Sequence, residues 1–181
     1  MAVRATMAEL ISRLRTLIGD PAGASQAFDD QTLQDYLDRR QTVARYALLR
    51  AEGSPRPDGT VDYLDYYADV GDWEADEKLY DGAYGLLTPA SVDRLTGHWA
   101  FSTSQPPPVL IVGKFYDVYA AAADVLEAWA AREKLSFDFD ADGQSFKRSQ
   151  KAAALLALAR EYRRQQRPAR VAMVRSDADR S

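Results

Sequence analysis

His98, the only histidine of the chain, is the first residue to examine for chemistry. It lies in the segment Gly97-His98-Trp99-Ala100-Phe101. One histidine cannot build a multi-histidine metal site, and its alternation with aromatic residues predicts a half-exposed position on a strand. The sequence also lacks the motifs of serine hydrolases and zinc proteases and the glycine loop that binds phosphate. The standard hydrolase arrangements are therefore excluded.

A second motif, Asp138-Phe139-Asp140-Ala141-Asp142-Gly143, matches the first six positions of a calcium-binding loop. Position 12 of such a loop carries a glutamate that binds calcium with both oxygens, but Ser149 stands there. Phe137 and Phe139 alternate with aspartates, which is typical of a strand. We therefore expect a short extended segment that enters an Asp-Gly turn, and no metal site.

The net charge of −4 conceals two blocks of opposite sign. From Asp58 to Asp81, nine carboxylates accompany a single lysine, Lys78. Such a run is usually a solvated face, and the functional alternative is an acidic channel wall that repels DNA. Four aspartates are the candidates for exposed or channel-facing positions: Asp62, Asp65, Asp69 and Asp72.

From Lys147 to Arg175, nine cations accompany one carboxylate, Glu161. Seven of the nine are arginines, whose planar forks suit carboxylates and phosphates. A basic helix end followed by a mobile tail predicts docking. An acidic protein groove is favoured over nucleic acid, because Tyr162 is the one aromatic residue near the arginines. Removing the residues after Arg160 is expected to leave the fold largely intact.

The spacing of apolar residues predicts the elements that position these charges. Helices are expected at residues 7–18, 30–40, 114–135 and 146–167. Gly19 is expected to end the first helix, and Asp29 is expected to cap the second. Between residues 51 and 113 the helical period is absent, and short apolar bursts separated by Gly, Pro and Asp indicate strands. Strands are expected at residues 42–46, 60–67, 73–80, 96–101 and 109–112. For the first of these, a continuation of the second helix through Val43, Ala44 and Leu48 is the alternative.

The predicted helix 114–135 has two neighbouring apolar stripes, and its alanine run 120–123 allows a helix of this chain or of another copy to approach closely. Six of its residues are the candidates for core or subunit packing: Phe115, Val118, Tyr119, Ala122, Val125 and Trp129.

Composition restricts the class of protein. With 181 residues the chain is long enough for one domain or a core with one insertion, and 46% hydrophobic residues exclude wholesale disorder. The absence of cysteine excludes disulfides and thiolate metal sites. No apolar run reaches the roughly 20 residues that span a bilayer. We expect a protein made in the cytosol that does not associate with membranes.

Four segments together resemble the head-tail connector proteins of tailed bacteriophages, the adaptors that lie beneath the portal. They are AELISRLRTLIGD at 8–20, FDDQTLQDYL at 28–37, YDVYAAAADVLEAW at 116–129 and DGQSFKRSQ at 142–150. The resemblance covers residues 1–40 and 114–168. The β-rich stretch departs from the small all-helical adaptors and looks like the inserted module of larger relatives.

The resemblance and the spacing together imply an α+β fold. A small helical bundle core of about four helices would comprise residues 1–42 and 113–168. An antiparallel β module, residues 43–112, would be inserted between the second helix and the long third helix. Residues 169–181 would form a flexible C-terminal tail.

The resemblance also implies a structural virion protein that is not an enzyme and needs no cofactor. Such adaptors form a homo-oligomeric ring, typically dodecameric, under the portal protein. The ring extends the DNA channel without sequence-specific binding and joins the head to the stopper or tail. The protein would be made in the host bacterial cytoplasm and reside in the virion neck. By analogy, the portal-contact residues would be Tyr162, Arg163, Arg164, Arg167, Arg170, Val171 and Met173.

Two alternatives from other classes stay open. The first is a helical DNA-binding regulator that uses the basic C-terminal helix. The second is an enzyme of an unrecognised class that uses the acidic β module with His98.

Overall fold

The computed structural model of the chain describes residues 2–135, 139–141, 144–146 and 148–168. Within them, a short 3-10 helix (Ala5–Met7) precedes four α-helices and ten strands. The helices are α1 (Ala8–Ile18), α2 (Asp30–Asp38), α3 (Val118–Lys134) and α4 (Arg148–Gln165). The strands are β1 (Gln41–Leu48), β2 (Arg50–Pro55), β3 (Val61–Tyr67), β4 (Lys78–Tyr80), β5 (Leu86–Leu87), β6 (Ser91–Asp93), β7 (His98–Ala100), β8 (Leu110–Tyr116), β9 (Phe139–Ala141) and β10 (Gln144–Phe146).

Local signals set the ends of the first two helices. Helix α1 stops at Gly19, whose φ of 67° is a left-handed conformation that glycine adopts without steric cost. Asp29 caps α2, because its side chain accepts a hydrogen bond from the Thr32 amide at 2.7 Å. Both helices were predicted from spacing and caps, and both predictions are confirmed.

Strands β1 to β8 form two four-stranded sheets. The first sheet has the order β1-β8-β4-β5 and the second has the order β2-β3-β7-β6, with every pair antiparallel. Only Leu49 separates β1 from β2, so the chain passes directly from one sheet to the other. The two sheets share an apolar core that contains Tyr66 and Trp99 from the second sheet and Leu79 and Ile111 from the first.

The third helix begins later than its spacing predicted. Residues 114–116 continue β8 and pair with residues 41–43 of β1. Helix α3 starts only after Asp117, whose carboxylate accepts a hydrogen bond from the Ala120 amide at 2.9 Å. The assignment of Phe115 to the helix stripe is therefore wrong. Its ring contacts Trp73 in the core between the sheets, with 5.2 Å between ring centroids.

The helices share a second apolar core, which includes Leu14 of α1, Leu37 of α2, Val125 of α3 and Ala159 of α4. The alanines at 120–123 are fully or almost fully buried. Because α4 of the same chain packs on α3, the close approach that these alanines allow is used within the chain.

Other strands differ from the predicted ones. Strand β2 was missed because Gly53 and Pro55 are strand-breaking signals; its residues pair with β3 from Arg50↔Tyr67 to Pro55↔Val61. Of the strand predicted at 73–80, only the last three residues form a strand, β4. Its first residue, Trp73, forms an isolated bridge with Phe115.

The predicted fold class is confirmed: the protein is α+β, and both four-stranded antiparallel sheets lie between α2 and α3 in the chain. The domain boundaries stay a prediction. Strands β9 and β10 pair with each other just before α4, which therefore starts two residues later than expected. No helix of the described segments is long and apolar enough to cross a bilayer.

Candidate functional site

The end of α4, where docking residues were predicted, is tied to the rest of the chain. The Tyr162 hydroxyl donates a hydrogen bond to the carbonyl of Leu17 at 2.9 Å. Its ring lies 5.7 Å from that of Tyr119, centroid to centroid. Burial raises the pKa of Tyr162, which therefore stays a neutral hydrogen-bond donor. This tyrosine joins α4 to α1 and α3.

Arg163 is held by two carboxylates of α3. Its Nη2 donates to Asp124 Oδ1 at 2.5 Å and to Glu127 Oε2 at 2.9 Å. Arg40 binds the other oxygen of Asp124 at 2.7 Å, so this carboxylate is shared by two arginines. Burial would raise the pKa of Asp124, but the hydrogen bonds from the two arginines outweigh it and lower the pKa. Arg163 therefore contributes to the fold through ion pairs.

Arg167 connects the end of the helical region to the loop after β3. Its Nη2 donates to the Gly71 carbonyl at 2.8 Å and to Asp72 Oδ2 at 3.1 Å, and its backbone amide donates to Asp117 Oδ2 at 2.7 Å. Burial lowers the pKa of Arg167, against the opposing effect of Asp72 and Asp117. The last residues of the described chain are therefore fixed in place.

These contacts separate the predicted portal-contact residues into three groups. Tyr162, Arg163 and Arg167 are used in intramolecular contacts. Arg164 is exposed, with 78% of its side chain accessible, and pairs with Glu161 one turn away at 3.0 Å. Arg170, Val171 and Met173 lie outside the described residues.

The acidic block is not one solvated face. Asp69 is exposed, whereas Asp62 pairs with Arg56, and Asp65 binds the ring of His98. The expectation that Asp72 is exposed is wrong: it is 4% accessible and lies 3.1 Å from both Arg13 and Arg167. Burial raises the pKa of Asp72 more than these two arginines lower it.

Glu74, which sequence reasoning did not single out, is the centre of the most connected polar cluster described. It is 1% exposed. One carboxylate oxygen accepts hydrogen bonds from Arg4 Nε (2.9 Å) and Thr6 Oγ1 (2.7 Å); the other accepts from the Tyr116 hydroxyl (2.5 Å) and Lys114 Nζ (3.3 Å).

The hydrogen bonds of this cluster keep the carboxyl group of Glu74 ionised. Burial would raise the pKa of Glu74, but the bonds from Thr6, Tyr116 and Arg4 outweigh burial and lower it to about 2. Burial and the bond to Glu74 raise the pKa of Tyr116. The cluster is therefore a fixed set of charges that attaches the N-terminal segment to the loop after β3 and to β8.

His98 lies on β7 and is half-buried, as its alternation with aromatic residues predicted. Its ring stacks on Tyr67 at 4.6 Å between centroids, and Nε2 lies 2.8 Å from Asp65 Oδ1. Arg50 pairs with Tyr67 across β2 and β3, and its guanidinium carbon lies 5.1 Å from the centroid of the Tyr67 ring. This row of side chains crosses the outer face of the second sheet.

We expect His98→Ala to lower the free energy of unfolding by about 1 kcal/mol or less, because the ring is partly exposed and its partner Asp65 stays solvated. Urea unfolding of the variant measures this value. A loss of more than about 2 kcal/mol would contradict a surface role for the ring.

Large apolar side chains cover the outer face of the first sheet. In one register row, Leu48 pairs with Leu110, Leu110 with Tyr80, and Tyr80 with Leu86. Paired residues of antiparallel strands point to the same face. The adjacent row contains Leu79 and Ile111, which are buried, so that row faces the core. The row that runs from Leu48 to Leu86 therefore faces outwards.

Two more tyrosines extend this outer surface, because Tyr46 lies 5.4 Å from Tyr80 and 5.2 Å from Tyr84, between ring centroids. The exposed fractions are 50% for Tyr46, 68% for Leu48, 63% for Tyr84 and 65% for Leu86. Together they expose on the order of 450 Å², against roughly 800 Å² per partner in a standard protein interface. We call Tyr46, Leu48, Tyr84 and Leu86 the sheet patch.

The sheet patch was missed from the sequence. Its signal is a strand, β1, with apolar residues on both faces, because Ala44 is buried while Val43 and Leu48 are exposed. In a sheet covered on one side only, such a strand indicates a second buried face.

The candidate packing residues of α3 lie within the chain's own core. Val118, Ala122 and Val125 are fully buried. Tyr119 is half-buried against α4, and Trp129 is half-buried against the loop before α2. Their contact with another subunit is left as a prediction.

Residues that could hold a metal ion do not cluster in the described segments. Of the calcium-like motif, the described part is β9, which pairs with β10 as an extended segment. Its predicted turn at Asp142-Gly143 lies outside the described residues.

None of the known protein-family models, curated proteins or solved structures matches this chain.

Proposed function

We propose that the protein is a head-tail connector of a tailed bacteriophage, a structural protein of the virion neck that acts by binding. It assembles as a homo-oligomeric ring under the portal, extends the channel through which DNA passes and joins the head to the stopper or tail. The ring is dodecameric by analogy with the adaptors that the sequence resembles.

The observation that carries a binding function is the sheet patch. An apolar patch of this size is about as large as any that a typical monomer exposes, and such patches often serve as protein–protein contact surfaces. A ring requires that each subunit bury surface against its neighbours. We assign the sheet patch to a contact between subunits or between subunit and portal.

The helical core gives independent support. The segments that carry the resemblance, residues 1–40 and 114–168, are separated by more than seventy residues. Their helices nevertheless contribute to one apolar core, which is distinct from the core between the sheets. This arrangement agrees with an adaptor whose helical part is interrupted by an inserted β module.

The portal contact is assigned by analogy to the end of α4 and the segment after it. Arg164 remains exposed for this contact, and Arg170, Val171 and Met173 follow. The ion pairs of Arg163 and Arg167 hold the end of the helix in position for them.

The experiment combines the purified protein with purified portal and measures assembly by size-exclusion chromatography. We expect the two to elute together, and we expect Leu86→Asp to reduce assembly at least tenfold, because it places a charge within an apolar interface. Val61→Asp is the matched control: Val61 is 43% exposed on the other sheet. If both variants reduce assembly to the same extent, or if neither reduces it, the assignment of the sheet patch is contradicted.

The alternative, a helical DNA-binding regulator, is less favoured by the same geometry. Arg163 and Arg167 have carboxylate partners, which reduces the cations available for phosphate. A gel shift at roughly 150 mM salt, where weak phosphate attraction is screened, distinguishes the two functions.

A further inference from the structure

The first sheet has two free edges, one at β1 and the other at β5. Its strand order is β1-β8-β4-β5, and no strand among the described residues pairs with the outer side of β1 or of β5. Every pair in this sheet is antiparallel, so β1 and β5 run in opposite directions. A second copy whose β5 lay beside β1 would therefore extend the sheet and keep its antiparallel order.

Two hydrogen bonds show which backbone groups point out of these edges. The Leu49 amide donates to the Val109 carbonyl at 2.9 Å, so Leu49 faces β8 and the residue before it, Leu48, faces away from β8. The Asp81 amide donates at 2.9 Å to the carbonyl of the residue that precedes Leu86, so Leu86 faces away from β4. The amides and carbonyls of both leucines therefore point outwards from the edges of the sheet.

The side chains of the two leucines match as well. Both lie in the row of paired residues that crosses the outer face of the sheet, and they are exposed to nearly the same extent, 68% for Leu48 and 65% for Leu86. Opposed residues of two antiparallel strands share a face, and at such positions they exchange two backbone hydrogen bonds. Pairing Leu48 with Leu86 of a second copy would satisfy both amides and both carbonyls and would bring the two side chains together.

The two sheets differ in how their edges are protected. Sheet edges that stay unpaired usually carry charged residues or proline. The edges of the second sheet follow this rule, because β2 contains Arg50 and Pro55 and β6 contains Asp93. At the edges of the first sheet, residues 46–48 and 82–88 include no charged residue and no proline. These two stretches therefore lack the features that prevent strand pairing.

We propose that copies of this chain associate head to tail, with β5 of one copy antiparallel to β1 of the next and Leu86 opposite Leu48. The first sheet then continues from subunit to subunit. A contact that uses two different surfaces of one chain is heterologous, and it closes into a ring when the rotation between subunits permits. The inference rests on the proposed function, because it specifies the contact between neighbouring subunits of the proposed ring.

The test uses the absence of cysteine from the chain. Leu48→Cys and Leu86→Cys are made as separate proteins, mixed in equal amounts and oxidised mildly, both alone and after purified portal is added. Opposed residues of this kind have Cα atoms about 5.5 Å apart, a distance that a disulfide spans. We expect a crosslinked dimer in which mass spectrometry finds residue 48 joined to residue 86.

The matched control is Leu48→Cys mixed with Val61→Cys, because Val61 is 43% exposed but lies on the second sheet. We expect this mixture to crosslink at least tenfold more slowly. Leu48→Cys alone and Leu86→Cys alone are expected to crosslink as slowly as the control, because neither residue opposes itself in a head-to-tail contact.

The proposal is overturned if residues 48 and 86 do not crosslink with or without portal, or if they crosslink no faster than the control. Faster crosslinking within either single variant would also overturn it, because the contact would then be two-fold symmetric. A protein that elutes with portal but lacks the crosslink would refute the strand pairing and leave the connector function standing. The crosslink in a protein that does not bind portal would support the strand pairing and refute the connector function.

Discussion

Replacing Glu74 with alanine is expected to lower the free energy of unfolding by about 3 to 5 kcal/mol, the usual cost of removing one partner from a buried charge cluster. Glu74 is 1% exposed and accepts hydrogen bonds from Arg4, Thr6, Tyr116 and Lys114. Without its carboxylate, the Tyr116 hydroxyl loses the acceptor it binds in the core. Urea unfolding followed by tryptophan fluorescence measures the change.

Asp76→Ala is the matched control for this variant. Asp76 binds the same lysine, Lys114, at 3.1 Å, but its side chain is 37% exposed. An exposed ion pair contributes little, so we expect a loss of less than about 1 kcal/mol. Equal losses for the two variants would contradict the central position of Glu74.

The same cluster predicts how stability depends on pH. The pKa of Glu74 is lowered from 4.5 to about 2 in the folded protein. A carboxyl group with a lowered pKa contributes stability above its unfolded pKa and loses that contribution as the pH falls through its folded pKa. The wild-type protein should therefore lose this contribution between about pH 4.5 and pH 2, whereas Glu74→Gln should lack it throughout.

Truncation after Arg160 is expected to destabilise the protein by on the order of 4 kcal/mol. It removes the Tyr162 bond to Leu17, the Arg163 pairs with Asp124 and Glu127, and Arg167. Asp72, buried at 4% exposure, is then left with Arg13 as its one cation. Thermal unfolding followed by circular dichroism measures the loss.

Truncation after Pro168 is the control, because it keeps every one of these contacts. We expect it to unfold at nearly the same temperature as the full chain. The sequence alone predicted an intact fold after truncation at Arg160. If both truncated proteins are equally stable, that earlier expectation holds and the contacts described for Tyr162, Arg163 and Arg167 contribute little.

Local signals in the sequence were sufficient for most of the fold. The apolar spacing of α1, the Gly19 stop and the Asp29 cap are each encoded within a few residues, and each was found. The start of α3 was misplaced because residues 114–116 have helical spacing but pair with β1, more than seventy residues earlier. Asp117, an N-cap residue, was the local signal that marked the correct start.

The charged groups show where sequence reasoning stops. Asp72 and Glu74 belong to a run that looks solvated, yet both are buried, because their partners Arg13, Arg167, Arg4 and Tyr116 come from distant parts of the chain. Only the tertiary arrangement brings these groups together. The sheet patch was missed for the same reason, since exposure depends on which face of the first sheet the second sheet covers.

The most direct test of the connector function is electron microscopy of the purified protein after it is mixed with purified portal. We expect a ring of added density on one face of the portal, coaxial with its channel. A protein that remains monomeric and leaves the portal unchanged in the micrographs would contradict it.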